Sequence, residues 1–199
     1  MRSMMKIITT TDDDVDDSIL SQITQVLKSG GVIAHASDTC YGLLADVFNK
    51  DAVKKVNDIK GSPHDKPMSI FLSSVSQVHE FAEVSGEAEE FMHQNLPGPF
   101  TVILQKREHF DYQPFNRTVG IRVPNNSFVR KLVDYYGGPL TTTSANLSGN
   151  EPIYSGQKVK EEFRGQTLQP DLIVDFGEVP QIKPSRIVDF SEGEPRWIR

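Results

Sequence analysis

Residues 16–36 read DDSILSQITQVLKSGGVIAHA, and the change of period inside this stretch decides the class of fold. Ile19, Ile23, Val26 and Leu27 fall at i, i+4, i+7 and i+8, the spacing that gathers apolar side chains on one face of an α-helix. Asp16, Asp17 and Ser18 supply capping oxygens and negative charge at its partially positive N-terminus, and Gly30 and Gly31 end it. Residues 32–36 then form a compact apolar run, the mark of a buried strand, and residues 37–43 read as its exit. Outward from this unit the alternation repeats. Strands are predicted over 6–9, 68–72, 100–105, 119–123, 140–143, 171–174 and 186–189. Helices are predicted over 51–60, 127–136 and 155–163, with two short acidic helical segments within 76–94. With no internal repeat and no linker, this pattern implies one α/β domain spanning 1–199.

Composition narrows the function classes. At 37% hydrophobic and 24% charged residues, the 199-residue chain suits a soluble globular protein and not a disordered or collagen-like one. No apolar run approaches the roughly 20 residues that span a bilayer. Residues 1–11 lack the apolar core of a secretory signal, so a cytoplasmic location is expected. Cys40 is the single cysteine and reads as a small buried hydrophobe rather than a nucleophile. The five histidines show no ligand spacing, so no metal cage built by the protein is expected.

The formal charge of −6, from 21 basic and 27 acidic residues, argues against a general nucleic-acid coat. Its origin is local. Asp12, Asp13, Asp14, Asp16 and Asp17 form one run, read as a solvated helix cap with metal binding as the alternative, and Glu80, Glu83, Glu87, Glu89 and Glu90 form a second patch. The remainder is net positive. Between residues 101 and 131, Lys106, Arg107, Arg117, Arg122, Arg130 and Lys131 face only Glu108 and Asp111, so a local anionic ligand is allowed.

The Walker, dinucleotide-binding, nucleophile-elbow and zincin signatures are all missing. What remains is a set of polar segments just beyond predicted strands or helices, at 37–43, 60–66, 118–123, 141–149 and 184–189, where loops converge on a site in α/β folds. TTTSANLSG at 141–149 lets the backbone approach a ligand while offering hydroxyl and amide groups; a Thr-rich strand followed by an Asx turn is the alternative. Lys60 and Lys66 bracket a rigid turn. Lys60 also reads as a favourable surface charge at a helix C-terminus, worth about 0.3–1 kcal/mol, so its removal is expected to leave the fold intact. In VGIRVP at 119–124, alternation sets Arg122 opposite Val119, Ile121 and Val123, where its planar five-donor fork suits a carboxylate or phosphate.

Six segments, SDTCYGL (37–43), KGSPHDKPMS (60–69), LPGPFT (96–101), GIRVP (120–124), TSANLSG (143–149) and PSRIVD (184–189), together resemble the YrdC-like family of L-threonylcarbamoyladenylate synthases. Their order and spacing cover nearly the whole chain. The resemblance implies a twisted mixed sheet with flanking helices around a concave, positively charged cavity. It implies condensation of L-threonine, bicarbonate and ATP to threonylcarbamoyl-AMP and pyrophosphate, with Mg2+ carried by ATP. The product would pass to a downstream tRNA threonylcarbamoyl transferase complex. By position, the resemblance assigns Thr39, Lys66, Arg122, Ser144 and Ser185 to threonine. It assigns Lys60, Ser62, Thr118, Asn146, Ser155 and Arg199 to ATP, and makes Lys60, Ser144 and Asn146 the catalytic set. Attack of a carbamate oxygen on the α-phosphorus brings two anions together, so orientation and charge neutralisation suffice without a covalent nucleophile.

One position departs from the pattern. The family's K-x-R signature reads here as Lys60, Gly61 and Ser62. A charge-assisted hydrogen bond is worth about 1.5–3 kcal/mol, or roughly one to two powers of ten in rate. Either Lys66 or Arg186 supplies the missing cation, or the chain is a non-catalytic or altered-substrate relative that binds nucleotide or RNA.

Overall fold

The helix read from residues 16–30 forms as α1 (Asp17–Lys28), with Asp16 as N-cap accepting from the Ile19 amide at 2.9 Å and Gly30 turning the chain at φ 80°. This computed structural model describes residues 5–11, 14–111 and 117–199; Asp12 and Asp13 of the acidic run lie outside them. Ahead of α1 stands β1 (Lys6–Thr9), and after it β2 (Ile33–Ala36), whose four residues are all buried.

Residues 37–43 are more than a strand exit. The Ser37 hydroxyl donates to the Cys40 carbonyl at 2.7 Å and closes a turn, from which the chain returns as β3 (Tyr41–Leu44), antiparallel to β2. Next, α2 (Lys50–Lys60) is capped by Asn49, closed by Gly61 at φ 60°, and buries Ala52, Val53, Val56 and Ile59 against the β2–β3 hairpin.

The remaining elements are β4 (Ser69–Phe71), α3 (Val78–Phe81), β5 (Ala82–Glu83), α4 (Gly86–Asn95), β6 (Phe100–Lys106) and β7 (Thr118–Arg122). They are followed by α5 (Ser127–Tyr136), β8 (Leu140–Ser144), α6 (Gly156–Glu162), β9 (Leu172–Asp175), β10 (Arg186–Asp189) and β11 (Arg196–Trp197). The two-residue β11 was not predicted; so short an edge strand carries no period to detect. The strands form one twisted mixed sheet in the order β1-β9-β2-β3-β8-β4-β7-β6-β10-β11, with β5 on β6. The pairs β1/β9, β2/β9, β4/β7 and β6/β10 are parallel, while β2/β3, β6/β7 and both pairings of β8 are antiparallel. The element that positions the site is β8. Its residues 140–142 pair with β4 and its residues 143–144 pair with β3, so one strand joins the two halves of the sheet.

Candidate active site

Where β3, β7, β8 and β10 meet, a cavity of about 410 Å³ opens, and its lining combines three strand-borne or loop-borne cations with hydroxyls. Lys66, Arg122 and Arg199 supply the charge; Thr39, Ser69, Thr101, Ser144 and Ser185 supply hydroxyls; among the described residues no Asp or Glu side chain lines it. A Thr101–Ser185 hydroxyl pair at 2.9 Å ties β6 to the segment before β10. A Cβ at Gly120 would stand 2.7 Å from the Ser69 hydroxyl and 3.3 Å from Thr101 Cγ2, so the glycine leaves these two cavity side chains room. All five residues assigned to threonine, namely Thr39, Lys66, Arg122, Ser144 and Ser185, line this one cavity. Strand alternation explains Arg122: Val119 and Ile121 are in the core, and the guanidinium sits on the other face.

Lys60 is not the surface charge that its helix-terminal position suggested. It is 4% exposed, and its Nζ donates to the Ser144 carbonyl and, at 2.8 Å, to the Asn146 carbonyl, while Ser148 N–H returns a bond to the Lys60 carbonyl at 2.8 Å. Thus Lys60 lies beneath the cavity floor and shapes the loop after β8. Burial, with the nearby Lys66 charge as the second cause, lowers its pKa to about 8. Lys60, Ser144 and Asn146, the residues that the resemblance makes catalytic, are in direct contact.

The residues assigned to ATP are more dispersed. Arg199 lines the cavity and donates from Nε and Nη2 to the Ser185 carbonyl at 3.2 and 3.0 Å. Asn146 lines it too, with Nδ2 donating to the Leu147 and Asn150 carbonyls at 2.8 Å each. Ser62 is buried beside the Lys60 turn. Thr118 stands at the far end of β7, on the face shared with Gly120 and Arg122 but outside the lining, and Ser155 caps α6 by accepting from Lys158 N–H at 3.3 Å. Among the described residues, the buried side-chain atoms without a protein partner are Thr24 Oγ1, His35 Nε2, Ser62 Oγ, Arg122 Nε and Asn146 Oδ1. Two of the five, Arg122 Nε and Asn146 Oδ1, belong to residues that line the cavity, and Ser62 stands in the turn after α2.

One sequence expectation is corrected. Arg186 does not replace the family arginine: its neighbours Ser185 and Ile187 line the cavity, whereas Arg186 lies 4.1 Å above the Trp197 ring and 5.6 Å from the Phe100 ring on the opposite face. Lys66 is the cation that remains on the Ser62 side. Several basic residues of the stretch 101–131 donate to backbone carbonyls. Lys106 is bonded to the Phe110 carbonyl, Arg107 to the His79 carbonyl at 2.7 Å, Arg130 to the Pro124 carbonyl at 2.7 Å, and Arg122 is buried. Residues that sequence reasoning left without a role are Thr101, Ser69 and Asp38; the first two were visible as hydroxyls within quoted segments, and Asp38 as the lone acid beside Thr39.

With this geometry in view, the sequence matches the Sua5/YciO/YrdC family, described as "Telomere recombination", over residues 25–199. The chain belongs to the Sua5/YciO/YrdC family. Human threonylcarbamoyl-AMP synthase is 35% identical over 173 residues, covering 83% of this chain and 60% of the human one. Among solved structures, Pyrococcus abyssi Sua5 complexed with L-threonine superposes with a TM-score of 0.87 at 28% identity, over 98% of this chain and 57% of that one. E. coli YciO superposes with a TM-score of 0.88 at 26% identity, over 98% of this chain and 95% of that one. The Sua5/YciO/YrdC chain described here thus spans about three-fifths of the human synthase and of Sua5, and nearly all of YciO.

Proposed function

We propose that this protein is an L-threonylcarbamoyladenylate synthase, forming threonylcarbamoyl-AMP and pyrophosphate from L-threonine, bicarbonate and ATP. The observation that carries the reading is the single cavity in which Thr39, Arg122, Ser144 and Ser185 converge with Lys66 and Arg199, with no Asp or Glu side chain among the described lining residues. Arg122 offers a fork for the α-carboxylate of threonine, and the hydroxyls of Thr39, Ser144 and Ser185 serve its remaining polar atoms. Asn146, Arg199, Ser62, Thr118 and Ser155 are the proposed nucleotide contacts, reached along the loop after β8 and the face of β7. Charge neutralisation by Lys60, Lys66 and Arg199 lowers the repulsion between the carbamate oxygen and the phosphate it attacks. A lining without Asp or Glu fits Mg2+ held by the phosphates of ATP rather than by the chain, where it would neutralise charge on the departing pyrophosphate.

Among the described residues no helix is long and apolar enough to cross a membrane. In this reading the protein works in the cytoplasm and hands its adenylate to a tRNA threonylcarbamoyl transferase complex. The test is pyrophosphate release that requires ATP, threonine and bicarbonate together, with labelled threonine recovered in an adenylate. Release indifferent to threonine overturns the reading; activity with carbamoyl phosphate in place of bicarbonate and threonine points to the altered-substrate alternative. The RNA-binding alternative is tested by tRNA titration at rising salt, where binding that falls steeply with salt would favour it.

Ser62 gives a separate prediction. Its hydroxyl is buried without a protein partner, so Ser62→Ala removes nothing that the free fold uses. Thermal stability is expected to hold or rise slightly, while kcat/KM for ATP falls about fivefold to tenfold, the value of one neutral hydrogen bond. Unchanged ATP kinetics would take Ser62 out of the nucleotide site.

A further inference from the structure

Arg122 ends β7 as a buried cation held by a carboxylate and an aromatic ring. Its Nη2 donates to Asp38 Oδ1 at 2.7 Å, with the two side chains only 9% and 6% exposed, and its guanidinium carbon lies 5.0 Å from the centre of the Phe71 ring. The other carboxylate oxygen, Asp38 Oδ2, accepts from the Asn125 amide at 3.1 Å. Asp38 is therefore fixed in its turn by the backbone and in turn fixes the plane of the fork. Meanwhile Arg122 Nε is buried and has no partner among the described residues. A fork with one nitrogen tied and another unanswered is set for an acceptor that the protein does not supply.

A carboxylate beside a substrate-binding arginine acts in two opposite ways: it holds the cation in place, and it repels an incoming anion. The geometry decides between them. Arg122 lines the 410 Å³ cavity, whereas Asp38 lines a second cavity of about 510 Å³ together with Ser37 and Asn125. Asp38 stands behind the guanidinium, which screens it from the substrate side. Thr39, the next residue of the same turn, faces the substrate cavity, so one turn carries both a contact to the ligand and the support of another.

We propose that Asp38 is the positioning residue that sets Arg122 for the α-carboxylate of the amino-acid substrate; the inference rests on the threonine reading above. Without Asp38 the guanidinium is a buried charge with no counter-ion, and it leaves its place over Phe71 for solvent. The test compares wild type with Asp38→Ala and Asp38→Asn in the pyrophosphate assay, with melting temperatures taken alongside. Asp38→Ala is expected to raise KM for threonine about 30-fold, with kcat held within about threefold and KM for ATP within about twofold. Asp38→Asn keeps one acceptor oxygen for Arg122 but sets its amide nitrogen against the Asn125 N–H, and is expected to restore KM only in part, to within about tenfold of wild type. The preference for binding L-threonine over L-threoninamide should shrink in Asp38→Ala by about the same factor as KM rises. An active wild type whose KM for threonine is unchanged or lowered by Asp38→Ala overturns the proposal alone. Parallel loss of kcat, both KM values and melting temperature in both variants assigns Asp38 to the fold and overturns it too. No threonine-dependent release by wild type sinks the functional reading, and this inference with it.

Discussion

Lys60→Met is expected to cut threonine-dependent pyrophosphate release by about two to three powers of ten and to destabilise the fold by about 1–3 kcal/mol. Both effects come from one atom. The Lys60 ammonium is buried under the cavity and donates to the carbonyls of Ser144 and Asn146, which lie 84 and 86 residues away in sequence. Methionine keeps the aliphatic stem, so the loss isolates the charge and the two hydrogen bonds, and two buried carbonyls are left without a donor. Turnover falls further than stability because the same loop carries Ser144 and Asn146 into the site and because a positive charge leaves the region where phosphate charge builds. Burial brings the Lys60 pKa down to about 8, so kcat/KM in wild type should decline as pH rises through 8, and that limb should be absent in Lys60→Met. Denaturant midpoints and steady-state rates on the same preparation check the prediction. A variant as stable as wild type that keeps more than about a tenth of the rate would remove Lys60 from the site.

His35 governs the acid side of stability. It is fully buried in β2, its Nδ1–H donates to the Ala36 carbonyl at 2.6 Å, and its ring packs against Phe71 and Phe128 at 6.1 and 6.3 Å. Its Nε2 has no partner and faces Gly42, where a Cβ would stand 3.2 Å away. Burial, only partly offset by the Ala36 carbonyl, lowers its pKa from 6.5 to about 4, and the Arg122 charge acts in the same direction as burial. Between those two values the unfolded chain binds the proton and the folded chain does not, so stability rises with pH. The contribution is fully present above pH 6.5 and is lost as pH falls towards 4, by about 3 kcal/mol in total. Urea unfolding at pH 7 and pH 4.5 should show this loss in wild type, and His35→Leu should reduce it by most of that amount while conceding about 1 kcal/mol at pH 7 for the bond to Ala36. Equal pH slopes in the two proteins would rule out a neutral buried His35.

Helix boundaries were legible wherever the chemistry is local. Asp16 accepts from an amide three residues on, and Gly61 supplies the left-handed residue that closes α2, so each can be read from a window of four or five residues. The face of Arg122 was legible for the same reason, because alternation along one strand needs no knowledge of its neighbours. Alternation also explains the error at Arg186. Two consecutive residues in a strand point to opposite faces, so placing Ser185 at the cavity sends Arg186 away from it to Trp197. The turn 37–40 hid β3, since polar residues dominate the segment and the strand is defined by pairing with β2 and β8.

From the sequence came the alternating architecture, the caps, the apolar faces and, through the family resemblance, the five side chains that line one cavity. Those follow from interactions that act over a few residues and from segments short enough to be read whole. Tertiary structure alone decided that Lys60 is buried rather than solvated, that Asp38 stands behind Arg122, and that His35 is a neutral group in an apolar layer. The physical reason is that the energy of a charge depends on its desolvation and on its partners. For Lys60 and Arg122 those partners arrive from strands and turns more than eighty residues away.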